Sequence, residues 1–210
     1  MGALTGPMST TKFFVRGELP KNLRRSFNER IALRVFRPLD PDEEAEERAG
    51  WCVLGAPFDL DLSTDKVYNG AYLTLGLRLD RYRFPARIVQ AELARASQST
   101  LAKSGHERLS RSQKTELKRR VLATLRRKYL PSMLAVDLVW NLDAGEVFFW
   151  SQSRSLIERL GALFELCFGL TLVENSPFAA AERLFPTQRK SQLDQLERTA
   201  FHAEALDGSG

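Results

Sequence analysis

The clearest periodic pattern in the chain lies between residues 71 and 80, where apolar and polar or small residues alternate. Leu73, Leu75, Leu77 and Leu79 occupy every second position, and an Asn-Gly turn signal precedes them. A period of two gives a strand one apolar face, so this segment predicts a sheet that is covered on one side.

Other segments carry either helical or strand-like spacing. Apolar residues three and four apart predict helices over residues 21–36, 85–99, 110–129, 153–168 and 178–184. Short apolar or alternating runs predict further strands over residues 12–16, 50–54, 133–140, 146–150 and 170–173. Because most of these strands are linked as hairpins, we expect an α+β fold with largely antiparallel sheets and packed helices.

The domain organisation expected from these patterns is simple. Residues 1–10 are interpreted as a flexible flank, 11–185 as the folded region and 186–210 as a polar tail. The folded region is divisible into two subdomains, 11–100 and 101–185. Cys52 and Cys167 lie too far apart in sequence for a metal motif, so we expect buried, reduced thiols. With no signal-like leader and no apolar run of about 20 residues, we expect a cytoplasmic protein without membrane contact.

Charge changes the picture at one place, residues 101–130. This stretch holds ten Lys or Arg and two Glu, a net charge of +8, whereas the whole chain carries +5. The remainder is therefore slightly acidic, notably at residues 40–47. A concentrated positive field favours a polyanionic partner, with nucleic acid the first candidate.

The basic helix predicted over residues 110–129 is amphipathic. On a helical projection Leu117, Val121 and Leu125 face one side, while Arg119, Arg120, Arg126 and Arg127 face the other. Guanidinium groups bind phosphate through two parallel hydrogen bonds, and four to six such contacts would give a log–log salt slope of roughly −4 to −5. The alternative is that these arginines pair with the acidic residues 40–47.

Further candidate DNA contacts lie on and beside this helix. Lys114, Lys118 and Lys128 extend its basic surface, and Arg78, Arg81 and Arg83 interleave with aromatic residues after the leucine-rich strand. Such interleaving allows stacking on unpaired bases, although it is more often a strand end with half-buried aromatics.

Recognisable catalytic chemistry is sparse. His106 and His202 have no partner at metal-ligand spacing, and Asp137, Asp143 and Glu146 are the only candidate carboxylates for a metal-dependent nuclease. We therefore expect no catalytic residues, no metal and no cofactor.

The order of elements from residue 50 to residue 184 resembles the bacterial RdgC family of recombination-associated proteins. The parallels are Gly50-Trp51, the strand after Asn69-Gly70, the helix over 85–99, the run LSRSQKTELK at 109–118, Leu130-Pro131, the hairpin over 134–150, the helix over 153–169 and Glu174-Asn175-Ser176-Pro177. About 170 residues are covered at low identity. The chain departs from the family by ending where members continue, and by carrying Leu134 where members have an aromatic residue linked to DNA binding.

The resemblance implies a protein that binds double-stranded DNA without sequence preference. Family members form ring-shaped dimers around the duplex and limit the action of the RecA recombinase, which implies a nucleoid-associated homo-oligomer. The residues implied to line the DNA channel are Lys114, Lys118, Arg119, Arg120, Arg126 and Arg127.

Three functions remain open at this stage. The leading hypothesis is a non-enzymatic, non-specific DNA-binding protein that encircles or clamps the duplex and modulates recombination. The first alternative is a protein–protein adaptor whose basic helix docks an acidic partner, including residues 40–47 of a second subunit. The second alternative is a metal-dependent nuclease.

Overall fold

A computed structural model describes residues 2–4, 9–104 and 108–184. The elements in chain order are β1 (Thr11–Arg16), α1 (Leu23–Leu33), β2 (Glu47–Cys52), α2 (Thr64–Val67), β3 (Tyr68–Asn69), β4 (Tyr72–Arg81), α3 (Ala86–Ser104), α4 (Arg111–Lys128), β5 (Ser132–Asn141), β6 (Glu146–Phe149), α5 (Arg154–Phe168), β7 (Thr171–Glu174) and α6 (Pro177–Leu184). The α+β class is confirmed. The predicted tail 186–210, part of the predicted flank and both histidines lie outside the described residues.

The strands form one antiparallel sheet in the order β2-β4-β5-β6-β1-β7, with β3 paired to β4. Strands β4 and β5 pair along their whole length, from Tyr72 opposite Asn141 to Arg81 opposite Ser132. Strand β1 lies between β6 and β7. Strands from before and after residue 100 therefore share one sheet, and the boundary expected between two subdomains falls inside α3.

Helices α1 and α5 supply the core that covers one face of this sheet. Phe27 of α1 packs 5.4 Å from Trp140 of β5, and Phe164 and Phe168 of α5 lie 4.7 Å apart, measured between ring centroids. The alternating leucines of β4 point into the same core and are almost fully buried. The apolar face of the period-two pattern is therefore confirmed. The expectation of a sheet covered on one side is wrong for β4, because Arg78 and Asp80 on its opposite face are buried as well. Both cysteines are buried and unpaired, as expected.

The chain crosses to the second face of the sheet after α1. Val35 forms a bridge with Trp51, and the Phe36 amide donates to the Trp51 carbonyl at 2.8 Å. A Cβ atom on Gly50 would lie 2.5 Å from the Phe36 Cα atom, so this crossing requires glycine. The helix expected to reach residue 36 therefore ends at Leu33, because the following residues make sheet contacts.

Helices α3 and α4 form an arm. The arm lies between β4 and β5 in the sequence, although these two strands are paired neighbours in the sheet. The main contact of the two helices is with each other, and α3 buries no side chain completely within the described residues. The arm begins and ends beside Arg81 and Ser132, which pair at one end of the sheet. Its basic helix is thus held away from the main core.

The short elements α2 and β3 were not expected from the sequence. Residues 64–67 make one helical turn after Ser63, too short to show a period, and β3 contributes only two residues to β4. No helix within the described residues is long and apolar enough to span a membrane.

Candidate nucleic-acid interface

Helix α4 begins with a complete capping box. The Ser110 hydroxyl accepts the Gln113 amide at 3.3 Å, and the Gln113 side chain accepts the Ser110 amide at 2.9 Å. These reciprocal bonds satisfy two backbone donors that a helix start otherwise leaves open. Val121 and Leu125 are buried further along α4, which confirms its amphipathic character.

Residues 40–47, here called the acidic segment, lie against the arginine-bearing side of α4. Arg119 forms an ion pair with Glu44 at 3.3 Å, and Arg127 forms one with Asp42 at 2.7 Å. Arg126 donates to the main-chain carbonyls of residues 43 and 44 at 3.0 and 3.2 Å. The alternative that the arginines pair with acids of this segment is confirmed for Arg119 and Arg127, whereas Arg120 pairs with Glu116 instead.

One predicted placement on α4, that of Arg126, is corrected by these contacts. Arg126 was expected on the exposed face, but only 8% of it is exposed, because the acidic segment covers it. Arg119, Arg120 and Arg127 do face solvent, as expected, although Arg119 and Arg127 also pair with the acidic segment. A helical projection identifies which residues share a side but not which distant segment covers that side.

The fourth arginine is held within the helix. Glu116 accepts hydrogen bonds from Arg119 and from Arg120, each at 2.9 Å. These charged hydrogen bonds lower the pKa of the Glu116 carboxyl to about 2, and the bonds from Arg119 contribute more than the bond from Arg120. The same pairing raises the pKa of Arg119. One carboxylate thus organises two guanidiniums on adjacent positions of α4.

The lysines of α4 contrast with its arginines. Lys114, Lys118 and Lys128 are exposed, and none forms an ion pair or hydrogen bond with another described residue. At about 100° per residue the three lie within about 80° of one another around the helix axis. At about 1.5 Å rise per residue they span about 21 Å along it. Their three ammonium groups are therefore open to a ligand.

Arg78 has a structural setting, in contrast to its predicted place at the interface. It is 8% exposed and makes a two-bond ion pair with Asp80, at 2.9 and 2.7 Å. Its guanidinium also stacks on Phe36, 4.0 Å from the ring centroid, and donates to the carbonyl of Pro57. A group so enclosed cannot reach a phosphate without unfolding its surroundings.

The other two arginines of this stretch lie at the surface. Arg81 pairs with Glu47 at 3.3 Å, and Arg83 is exposed without a partner among the described residues. The neighbouring rings contact one another: Tyr82 and Phe84 stack at 5.8 Å, and Phe84 meets Tyr129 edge-on at 6.2 Å. These rings support the base of the arm, and Tyr129 is the one that remains exposed.

The carboxylates considered for a nuclease do not converge. Asp137 is buried and accepts the backbone amides of Ala3 and Gly55 at 2.7 and 3.2 Å. Glu146 of β6 lies opposite Asn141 of β5 in the sheet register. Asn141 is four residues from Asp137, which places Glu146 about 13 Å from Asp137 along the strand direction. No group of three metal-ligating side chains occurs among the described residues. Asp137 therefore ties the chain start and a loop to the sheet.

The acidic segment is the element that sequence reasoning underrated. Its signal was present, since Asp42 and Glu44 have a spacing of two in an acidic run and the basic helix has a single acid of its own. Comparisons with known proteins add no assignment: the chain matches no protein-family model and no curated protein.

Proposed function

We propose that this protein binds double-stranded DNA without sequence preference, through the exposed cations of α4. The single observation that carries the proposal is the line of three exposed and unpaired lysines over about 21 Å of one helix. Lysine binds phosphate as a point charge, and duplex DNA presents about one negative charge per 1.7 Å of its axis. A helix of this length can therefore follow several phosphates without reading bases.

The setting of α4 supports this use. The arm projects from the sheet end, so its cations are carried on an element that is not needed to cover the core. The chain's resemblance to the RdgC family extends the proposal to a clamp of two copies and a role in limiting a recombinase. Binding itself requires neither extension.

A salt titration with matched variants tests the proposal. Fluorescence anisotropy with two unrelated duplexes, from 50 to 300 mM KCl, measures the slope of log K against log salt. The double variant K114Q/K118Q should reduce the magnitude of the slope by about 1.8, because each lost phosphate contact removes about 0.9. The control K21Q/R25Q removes the same charge from the start of α1 and its flank.

Four outcomes decide the matter. Similar affinity for both duplexes with a slope reduced only in K114Q/K118Q supports the proposal. The proposal is overturned if neither the wild-type protein nor the variant D42N/E44Q, which neutralises two acids of the acidic segment, binds DNA at low salt. An equal effect of K21Q/R25Q overturns the assignment to α4. A strong preference for one duplex overturns the lack of sequence preference.

An adaptor function is the second candidate, and one observation favours it. Helix α4 already binds carboxylates of a peptide segment, through Arg119 with Glu44 and Arg127 with Asp42. An acidic partner protein could use the same groups. Light scattering at 50 and 300 mM KCl separates the two: salt-sensitive self-association without any DNA binding favours the adaptor.

A further inference from the structure

The acidic segment is bound to α4 by contacts of two kinds. Its side chains reach exposed arginines, and its main chain reaches the buried Arg126. The carboxylates of Asp42 and Glu44 occupy donors on guanidiniums that DNA phosphates would otherwise contact: Asp42 accepts two hydrogen bonds from Arg127, and Glu44 accepts one from Arg119. Two arginines that the sequence assigns to DNA are thus engaged by an internal anion.

The ion pairs are of the kind that another anion can replace. Arg119 and Glu44 are 60% and 72% exposed, and Arg127 and Asp42 are 67% and 64% exposed. Exposed pairs contribute little to stability and are screened by salt. A duplex brings many phosphates to the same helix at once, so it can compete with two solvated carboxylates.

Arg126 shows that the covered arrangement leaves a donor unused. Its Nε atom is buried and has no hydrogen-bond acceptor within the described part of the chain. A buried donor without an acceptor raises the free energy of the state that contains it. Release of residues 43 and 44 would expose this guanidinium, whose remaining donor could then bind phosphate.

The segment can leave α4 without opening the sheet. N-terminal to the segment, Leu39 is buried, and Arg48 donates to the Pro38 carbonyl at 2.9 Å. At the C-terminal end of the segment, the Tyr82 amide donates to the Glu46 carbonyl at 2.9 Å. Residues 42–45 lie between these anchors in irregular structure, so their movement breaks no strand pairing.

We propose that the acidic segment is an internal competitor, which pairs with Arg119 and Arg127 and covers Arg126 in the free protein, and is displaced when DNA binds. This inference rests on the DNA binding proposed above. It assigns two states to one surface: a resting state with the lysines available for first contact, and a bound state in which the arginines join them.

Charge neutralisation with a matched control tests the competitor. The variant D42N/E44Q preserves side-chain shape and should lower the Kd for duplex DNA about three- to tenfold, since two weak ion pairs no longer oppose binding. The control E158Q/E165Q makes the same change in net charge on the exposed side of α5 and should change Kd less than twofold. Amide hydrogen exchange of residues 42–46 should accelerate in the wild-type protein at saturating DNA.

The outcomes separate this inference from the function on which it rests. If wild-type protein binds DNA while D42N/E44Q matches E158Q/E165Q and exchange at residues 42–46 is unchanged, the competitor is refuted and DNA binding stands. If only D42N/E44Q binds, both are supported. If neither protein binds at low salt, both are refuted, because no ligand then competes with the segment.

Discussion

Replacing Asp80 with asparagine should destabilise the protein strongly, although Asp80 lies in no proposed binding surface. Its carboxylate is the partner of Arg78, and both residues are buried on the second face of the sheet. Phe36 and Phe58 stack on the guanidinium at 4.0 and 5.1 Å. D80N keeps the side-chain shape but leaves a buried cation without its counter-charge.

The size of the loss follows from that arrangement. Removing one partner of a buried ion pair costs about 3–5 kcal/mol, because the remaining charge stays desolvated and unpaired. A domain of ordinary stability unfolds with about 5–15 kcal/mol, so D80N should lose a large share of it. The double replacement R78M/D80L removes both charges and places an apolar chain between the rings. It should fall within about 1 kcal/mol of the wild-type protein.

Urea unfolding followed by tryptophan fluorescence measures these differences, since Trp51 and Trp140 are fully buried. The control D61N removes an exposed carboxylate paired with Lys66 and should leave the unfolding midpoint nearly unchanged. Equal midpoints for D80N and D61N would refute the reasoning. So would a double variant less stable than D80N, because it would show that the ion pair itself supplies net stability. If D80N does not fold, the reasoning is still tested by whether R78M/D80L folds, because removal of both charges should restore folding.

Two further predictions concern other parts of the chain. G50A should lower the free energy of unfolding by about 1–3 kcal/mol, because its new Cβ atom meets the Phe36 backbone at 2.5 Å. The control G161A in α5 meets nothing within 4 Å and should raise the free energy of unfolding by about 0.5–1 kcal/mol. Urea unfolding compares the two variants, and equal effects would contradict the close approach of Phe36 to Gly50. The pKa of Glu116 is lowered in the folded state, so the stability it contributes is present above pH 4.5 and is lost as pH falls towards about 2; a carboxyl ¹³C titration with a midpoint near 4.5 would contradict the bonds from Arg119.

Local features of the sequence were sufficient for most elements. The alternation of leucines identified β4 and its apolar face, and helical spacing placed the start of α4 near residue 110. Gly169, in the left-handed conformation with φ +69°, ends α5 where the pattern placed the end. These features depend on backbone geometry and on neighbours within a few residues, so a single sequence carries them.

Long-range contacts decided the rest. The sequence identified a basic helix and an acidic run, and it assigned the arginines to the helix side away from Val121 and Leu125. Only the tertiary structure showed that the acidic segment binds this side and buries Arg126, because the pairs joining Arg119 to Glu44 and Arg127 to Asp42 link residues 75 and 85 positions apart. Periodicity defines the faces of a helix, but which face stays in solvent depends on where the rest of the chain packs. That physical reason shifts the proposed DNA contacts from the arginines to the lysines of α4.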